Sequence, residues 1–424
     1  MRPLLSSRRF LPYFVTQGLG ALNDNLYRFA LMFSLTFVAA RDLDFNINVI
    51  MNLAAGLFIL PFLLFSGLAG QLADRYDKAK MAQILKTTEL LLMLLAAVGF
   101  LLKAWLFLLV LLFLMGAQSA MFGPLKYAIL PQHLERDDLM RGNGWVAMAT
   151  FLAILFGTLG GGLLSTLDET IRYWVISGAV IAVALIGLVA SLLIPPAPAT
   201  QRMQPWVLNP FRQTWKILKG ARRGVVPVML AIGWFWFVGS GYLTQFPNFT
   251  REVLGGNEGV GTLLLALFAI GIGAGALLIG YMSRGKIRPG VAPLSALAIA
   301  VISIGWYLLA TNFTPAETPS MLAFIGQPGA WGIMLCIALT GVAGGIYIVP
   351  LYSFLQRTTP APTRAQVIGA LNVIDALFMV GSAVLGMLLF GVIGTSLPTF
   401  FLLFGLSGLL VTAIAWLISA QGRH

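Results

Sequence analysis

Residues 67 to 80 read Gly67-Leu68-Ala69-Gly70-Gln71-Leu72-Ala73-Asp74-Arg75-Tyr76-Asp77-Lys78-Ala79-Lys80. Five charges fall in the last seven positions, whereas the flanks, about 46 to 73 and 80 to 102, are dominated by apolar residues. A hydrocarbon layer of roughly 30 Å takes about 20 residues of helix, so each flank is long enough to cross it and the charged stretch is a turn at its surface. Gly70 permits close helix approach, and the Asp74 carboxylate, one turn later, is placed to face the N-terminus of a neighbouring helix.

The same pattern extends through the chain. Of 424 residues, 58% are hydrophobic and 10% charged, with a mean hydropathy of +0.89. A soluble domain carries about 25% charged residues, so lipid must solvate most of this surface. Runs such as Leu90 to Leu102 and Leu106 to Met115 are apolar on every side, which favours helices over the alternating strands of an outer-membrane barrel. Cys336 is the only cysteine, so no intrachain disulfide forms, and two histidines supply no metal cluster. No cofactor and no ATP-binding motif is indicated. Arg8-Arg9 precede an apolar stretch from about 10 to 40, too long for a signal peptide, which reads as an uncleaved first span.

Twelve helices are expected, near 10–40, 46–73, 80–102, 105–131, 140–165, 171–194, 225–250, 258–283, 289–310, 330–356, 364–391 and 397–419. The polar interval 195–224, opening with Pro195-Pro196-Ala197-Pro198, divides them into an N-terminal six-helix bundle (1–194) and a C-terminal one (225–424). Of the Lys and Arg residues, 21 fall on the side of the termini, among them Arg2, Arg202, Arg284, Lys286, Arg288 and Arg423. Four (Arg41, Lys103, Arg172, Arg251) fall on the other, which predicts that both termini and the central loop are cytoplasmic. The formal charge of +12 therefore reports orientation and attraction to an anionic leaflet, not nucleic acid. Gly123-Pro124-Leu125-Lys126 matches Val349-Pro350-Leu351-Tyr352 at an offset of 226, about half the chain, as a duplicated six-helix unit would. Between the halves, Trp206, Phe211, Trp215, Ile217 and Leu218 alternate with cations. Either an amphipathic helix on the inner leaflet or an ordinary charged linker fits.

Charges inside spans are functional candidates. In the first span, Asn23-Asp24-Asn25 precedes Arg28, with Asp24 and Arg28 one turn apart in the favourable order. The pair is either self-neutralising or lines a cavity and exchanges its internal partner for substrate charges. Lys126, beside Tyr127, either snorkels or offers a point charge for phosphate. Glu89, one turn after Lys86, reads as structural. Asp375 has no cation within a helical turn, so it is protonated, paired across helices or part of ion coupling. The seventh span carries Trp234-Phe235-Trp236-Phe237, then Tyr242 and Gln245; four consecutive aromatics cover every face, so some are expected to meet lipid and a minority to form an acyl slot. His133 to Asp138 fits an H-x4-D acyltransferase pattern, but in a loop of about eight residues it reads as coincidence.

The stretch 67 to 80 resembles the loop motif of the major facilitator superfamily. The likeness implies an all-α membrane protein of 12 transmembrane helices in two pseudo-symmetric six-helix bundles, with Gly70, Asp74, Arg75, Lys78 and Lys80 as gating residues. The counterpart, Gly280 to Lys286, keeps Ser283-Arg284 without the acid. Gln17 to Asn25, Phe122 to Pro131, Asn143 to Thr158, Trp234 to Gly256 and Gly344 to Gln356 are similar to the bacterial lysophospholipid transporter (LplT) family, in particular the transporter module of fusions with a glycerophospholipid acyltransferase.

That resemblance implies uptake of lysophospholipids, chiefly lysophosphatidylethanolamine, to the cytoplasmic leaflet for reacylation. A fused or separate acyltransferase and membrane lipids are the implied partners. Asp24 and Lys126 match charged family positions. Arg28 stands where the fused members usually have Lys, Ala147 where relatives tend to carry Glu, and Asp375 where they tend to have Asn. Asn23, Asn25, Arg28, Lys126, Tyr127, Tyr242 and Gln245 join Asp24 as candidate substrate-binding residues, and Asp24 and Asp375 as candidates for ion coupling. Rival readings are a proton-coupled exporter of amphipathic drugs and a non-transporting scaffold for an acyltransferase.

Overall fold

The computed structural model describes residues 4–35, 47–165, 167–200, 206–283, 290–315 and 321–413. Arg2, Arg41, Arg202, Arg284, Lys286, Arg288 and Arg423 lie outside them, as does the end of the Gly280 to Lys286 motif. The described residues contain helices and no strands. These are α1 (Leu11–Ser34), α2 (Ile47–Arg75), α3 (Lys78–Leu101), α4 (Trp105–His133), α5 (Leu139–Ser165), α6 (Glu169–Leu192) and α7 (Pro210–Gly220). They continue with α8 (Val225–Glu252), α9 (Glu258–Met282), α10 (Val291–Thr311), α11 (Met321–Ile325), α12 (Ala330–Thr358), α13 (Arg364–Leu388) and α14 (Leu397–Leu406). Ten helices among the described residues are long and apolar enough to cross a membrane.

Local chemistry sets the boundaries. The Asp77 carboxylate accepts from the Lys80 N–H at 3.0 Å and starts α3, and Asp168 accepts from the Thr170 N–H at 2.9 Å and starts α6. Asn209, followed by Pro210, caps α7 in the same way. Between α13 and α14 the chain turns at Gly394, whose φ of 71° suits a residue without Cβ. Only the five-residue α11 was not anticipated from the apolar runs.

The residues cluster into two compact units. The first comprises Met1–Arg136, Ala153–Val226 and Gln356–Ala376, and the second Asp137–Leu152, Pro227–Leu355 and Leu377–His424. In the first, α1 presses on α5 where a Cβ on Gly157 would stand 2.6 Å from the Leu22 carbonyl oxygen and one on Gly161 2.8 Å from the Ala30 nitrogen. Without a hydrophobic force between helices in lipid, such close backbone approach supplies the dispersion energy of association. Tyr27, Phe100, Trp105 and Tyr173 fill one end of this unit, and the Tyr27 hydroxyl donates to the Leu108 carbonyl at 2.7 Å.

In the second unit, Gly271 and Gly275 of α9 meet Gly341 and Gly345 of α12, each against the other helix's backbone. Beside them Trp306, Phe401, Tyr242, Phe246 and Phe249 form an aromatic knot, with Trp306 and Phe401 ring centroids 4.5 Å apart. Large apolar side chains remain outside, Leu106 at 77% and Val392 at 78% exposure among them, as a lipid-facing surface requires.

Candidate functional site

The polar face of α1 is held by α3 and α4. Glu89, 1% exposed, receives Lys86 Nζ at 2.6 Å, Asn23 Nδ2 at 3.0 Å and Gln118 Nε2 at 3.4 Å. Glycines at positions 20 and 187 make room for the Lys86 ammonium, since a Cβ at either would stand 3.0 or 3.1 Å from it. This pair is enclosed and both Glu89 oxygens are bonded, in keeping with a structural role for Glu89.

Asp24 is placed differently. Ser119 Oγ donates to its Oδ2 at 2.6 Å, while Oδ1 is sealed from solvent and accepts no hydrogen bond. Arg28 donates through Nη2 to Asn25 Oδ1 at 2.9 Å, and its Nε is buried without an acceptor. The guanidinium carbon lies 4.9 Å from the Phe29 ring centroid and 5.2 Å from that of Phe58. The close i,i+4 ion pair expected from sequence is therefore not formed: Asn25 takes the arginine and Ser119 takes the aspartate. Asp24 and Arg28 are each half-buried. An acid with one unused lone-pair set and a base with one unused N–H, left apart, have capacity for an external ligand that a closed pair lacks.

Lys126 is half-buried in α4, 5.3 Å from the ring centroid of Tyr127, and lies within electrostatic reach of Asp24. Its backbone carbonyl accepts from the Tyr13 hydroxyl at 2.7 Å, and that of Tyr127 from Gln356 Nε2 at 3.1 Å, so both residues sit on a fixed segment. Asn23, Asp24, Asn25, Arg28, Lys126 and Tyr127 thus share the first unit. Asp375 is also there, buried at 7% exposure, with Oδ1 unbonded and no cation within 4 Å among the described residues. Gln118 and Ser119 are site residues that sequence reasoning missed; two adjacent polar residues directly after the apolar run 105–117 were the available signal.

Tyr242 and Gln245 belong to the second unit. The Tyr242 hydroxyl lies 3.2 Å from Ser303 Oγ and donates to the Phe401 carbonyl at 2.9 Å, and the side chain is fully buried in the aromatic knot. It packs that unit instead of presenting a free hydroxyl. Gln245 Oε1 accepts from Asn248 at 3.0 Å. Of the four consecutive aromatics, Trp234 and Phe235 are buried and Trp236 and Phe237 half-buried: Trp234 bonds Ser407 Oγ at 2.8 Å, Trp236 stacks on Phe151, Phe237 stacks on Phe404, and Phe235 lies against Tyr347. Which faces neighbouring helices cover is something a single helical wheel does not reveal. In the H-x4-D stretch, Asp138 pairs with Arg141 at 2.9 Å.

The turn after α2 makes a second constellation. Asp74, 1% exposed, accepts from the Ala365 N–H on Oδ1 and from the Gln366 N–H on Oδ2, each at 3.1 Å, and from Gln366 Nε2 at 3.4 Å. It caps the N-terminus of α13, the partner its position suggested. A Cβ on Gly70 would stand 2.6 Å from the Ala365 carbonyl oxygen, and Gly369 of α13 lies directly against the Ser66 carbonyl. Thr200 donates to Asp74 at 3.3 Å, and buried Lys78 reaches the Pro198 carbonyl at 3.3 Å. Arg75 lies 3.6 Å from the ring centroid of Trp206, while the Lys80 backbone N–H serves the Asp77 cap.

A family model described as Major Facilitator Superfamily matches residues 18–377. The chain is 27% identical over 376 residues to the lysophospholipid transporter LplT of Photorhabdus laumondii, covering 84% of this chain and 82% of that protein. It is 28% identical over 370 residues to LplT of Klebsiella pneumoniae, with the same coverage. Its fold is similar to that of the proton:xylose symporter XylE, with a TM-score of 0.72, 12% identity, and coverage of 96% and 95% of the two chains.

Proposed function

The chain belongs to the major facilitator superfamily, made up of transporters and not enzymes, and on that premise we propose that it carries lysophospholipids across the bacterial inner membrane. The two relatives named as lysophospholipid transporters span most of its length. The observation that carries the reading is the separation of Asp24 from Arg28. A lysophospholipid headgroup such as lysophosphatidylethanolamine brings a phosphate and an ammonium joined by two carbons. Arg28, with Lys126 in electrostatic reach of the same acid, offers the phosphate its partner, and the unbonded Oδ1 of Asp24, enclosed in this conformation and uncovered in the transport cycle, offers the ammonium its own.

In this proposal twelve spans form two six-helix halves, residues 1–194 and 225–424, joined by the linker 195–224, with both termini cytoplasmic as the cation asymmetry favours. The lipid is delivered to the cytoplasmic leaflet by alternating access, for reacylation by a fused or separate acyltransferase. Asn23 and Asn25 hold Glu89 and Arg28 in place, Tyr127 flanks Lys126, and Gln245 and Tyr242 serve the acyl side at most indirectly, through packing. Gly70, Asp74, Arg75, Lys78 and Lys80 form the gate, which opens when α13 leaves the Asp74 carboxylate. Uptake of labelled lysophosphatidylethanolamine into spheroplasts tests this. We expect loss with Asp24→Asn and with Arg28→Gln, and undiminished uptake in both variants would remove this site. Proton-coupled drug export is the second reading, favoured by the unbonded oxygen of Asp375, and a resistance phenotype without lysolipid uptake would select it.

A further inference from the structure

Outside the candidate site, a cavity of about 360 Å³ opens in the first unit between α7, the end of α2 and the start of α13. Among the described residues its lining includes the cations Lys216 and Arg222 and no acidic side chain. Two further lining residues carry polar atoms that are buried and unbonded: Gln213, 2% exposed, with a free Nε2, and Thr359, 3% exposed, with a free hydroxyl. The other end of Gln213 is fixed, because its Oε1 accepts from Gln71 Nε2 at 2.6 Å. An unsatisfied buried amide N–H is costly, so a cavity keeping one beside a free hydroxyl and two cations is built to receive an acceptor.

The rim says where that acceptor comes from. On α7 and just before it, Leu208, Phe211 and Trp215 are more than half exposed, at 75%, 52% and 60%. Phe211 and Trp215 are one turn apart, and the polar Gln213 and Thr214 face inward to the protein. This inverts the arrangement of a helix on a water-soluble surface and matches one lying in the interfacial zone of a bilayer, with Arg212, Lys216 and Lys219 at headgroup level.

We propose that this cavity binds the phosphate of an anionic membrane phospholipid, with Lys216 and Arg222 as counter-charges, Gln213 and Thr359 as donors, and the acyl chains along Phe211 and Trp215. The site is independent of what the protein transports. It also abuts the α2–α13 contact, because Gln366 both lines the cavity and donates twice to Asp74. A bound phosphate therefore braces the linker against the helix start that Asp74 caps.

The test uses the full chain in nanodiscs of equal phosphatidylethanolamine and phosphatidylglycerol, with lipid retention read by native mass spectrometry. Retention of phosphatidylglycerol is expected to fall about 20-fold in Lys216→Ala/Arg222→Ala, whose side chains are exposed, and severalfold in Thr359→Val. Removal of an exposed cation elsewhere, Lys103→Ala, is expected to leave it unchanged. Equal retention in wild type and the cavity variants overturns the proposal. Displacement of the retained lipid by millimolar inorganic phosphate would assign the site to a free anion and overturn its lipid character, whereas persistence of the lipid supports it.

Discussion

The contact most open to quantitative attack is the cap that Asp74 places on α13. Its two oxygens take separate backbone donors, Ala365 and Gln366, at 3.1 Å each. In Asp74→Asn only one oxygen remains, and the new NH2 is turned toward the other N–H. One buried donor is left without an acceptor, at about 1–3 kcal/mol, and the charge facing the helix dipole is lost, at about 1 kcal/mol. The contact between α2 and α13 is thus weakened by about 2–4 kcal/mol, which multiplies the open population at least about 30-fold. Ser66 reads this out: it is fully buried, its hydroxyl is unbonded, and its carbonyl touches Gly369 of α13. Because Cys336 is the only natural cysteine, Cys336→Ser supplies a silent background for the near-isosteric Ser66→Cys. Maleimide labelling of that cysteine should be slow with Asp74 present and at least tenfold faster with Asn. An unchanged labelling rate in a variant that folds and melts like its parent would refute the assignment of Asp74 as the group holding α13.

Three other outcomes are expected. Lys86→Met strands the buried Glu89 carboxylate and should cost about 3–5 kcal/mol, seen as loss of folded protein in detergent, while Lys86→Met/Glu89→Gln, which keeps an acceptor for Asn23, should recover part of it; a double variant as poor as the single would contradict a structural pair. Tyr242→Phe should lower stability by about 1 kcal/mol, read as a fall in melting temperature, and leave substrate affinity unchanged, since its hydroxyl serves Ser303 and Phe401. Gly161→Leu should prevent α1 from seating on α5 and abolish folded protein, as monodispersity on size exclusion would show, whereas Gly178→Ala, with open space around it, should be silent.

Much of the fold was legible because lipid imposes a simple rule: backbone groups must be paired within the segment, so a long apolar run becomes a helix. Predicted and observed boundaries agree within a few residues for α3, α4, α5, α8 and α12. That Asp74 faces a neighbouring helix N-terminus was readable from the loop motif, in which the acid follows Gly70 by one turn. Spacing put Asp24 and Arg28 within a turn of each other, but spacing on one helix shows which partners are near and not which competitors are nearer. Ser119, 95 positions away, captured the acid, and Asn25 captured the base. For the same reason the aromatic run did not show that Trp234 and Phe235 would be buried, nor that Ser303 and Phe401 would take the Tyr242 hydroxyl.

Composition and periodicity by themselves determined that this chain lives in lipid, that it is helical, and which handful of charges lie inside the helices. These follow from water-to-lipid transfer, which acts on each residue almost independently of its distant neighbours. Only the tertiary structure decided which buried charges are saturated and which keep an open valence, and that Gln213 and Thr359 wait beside two cations in a cavity. Hydrogen bonds are short and directional, so whether a buried polar atom is satisfied depends on side chains brought to it from elsewhere in the chain.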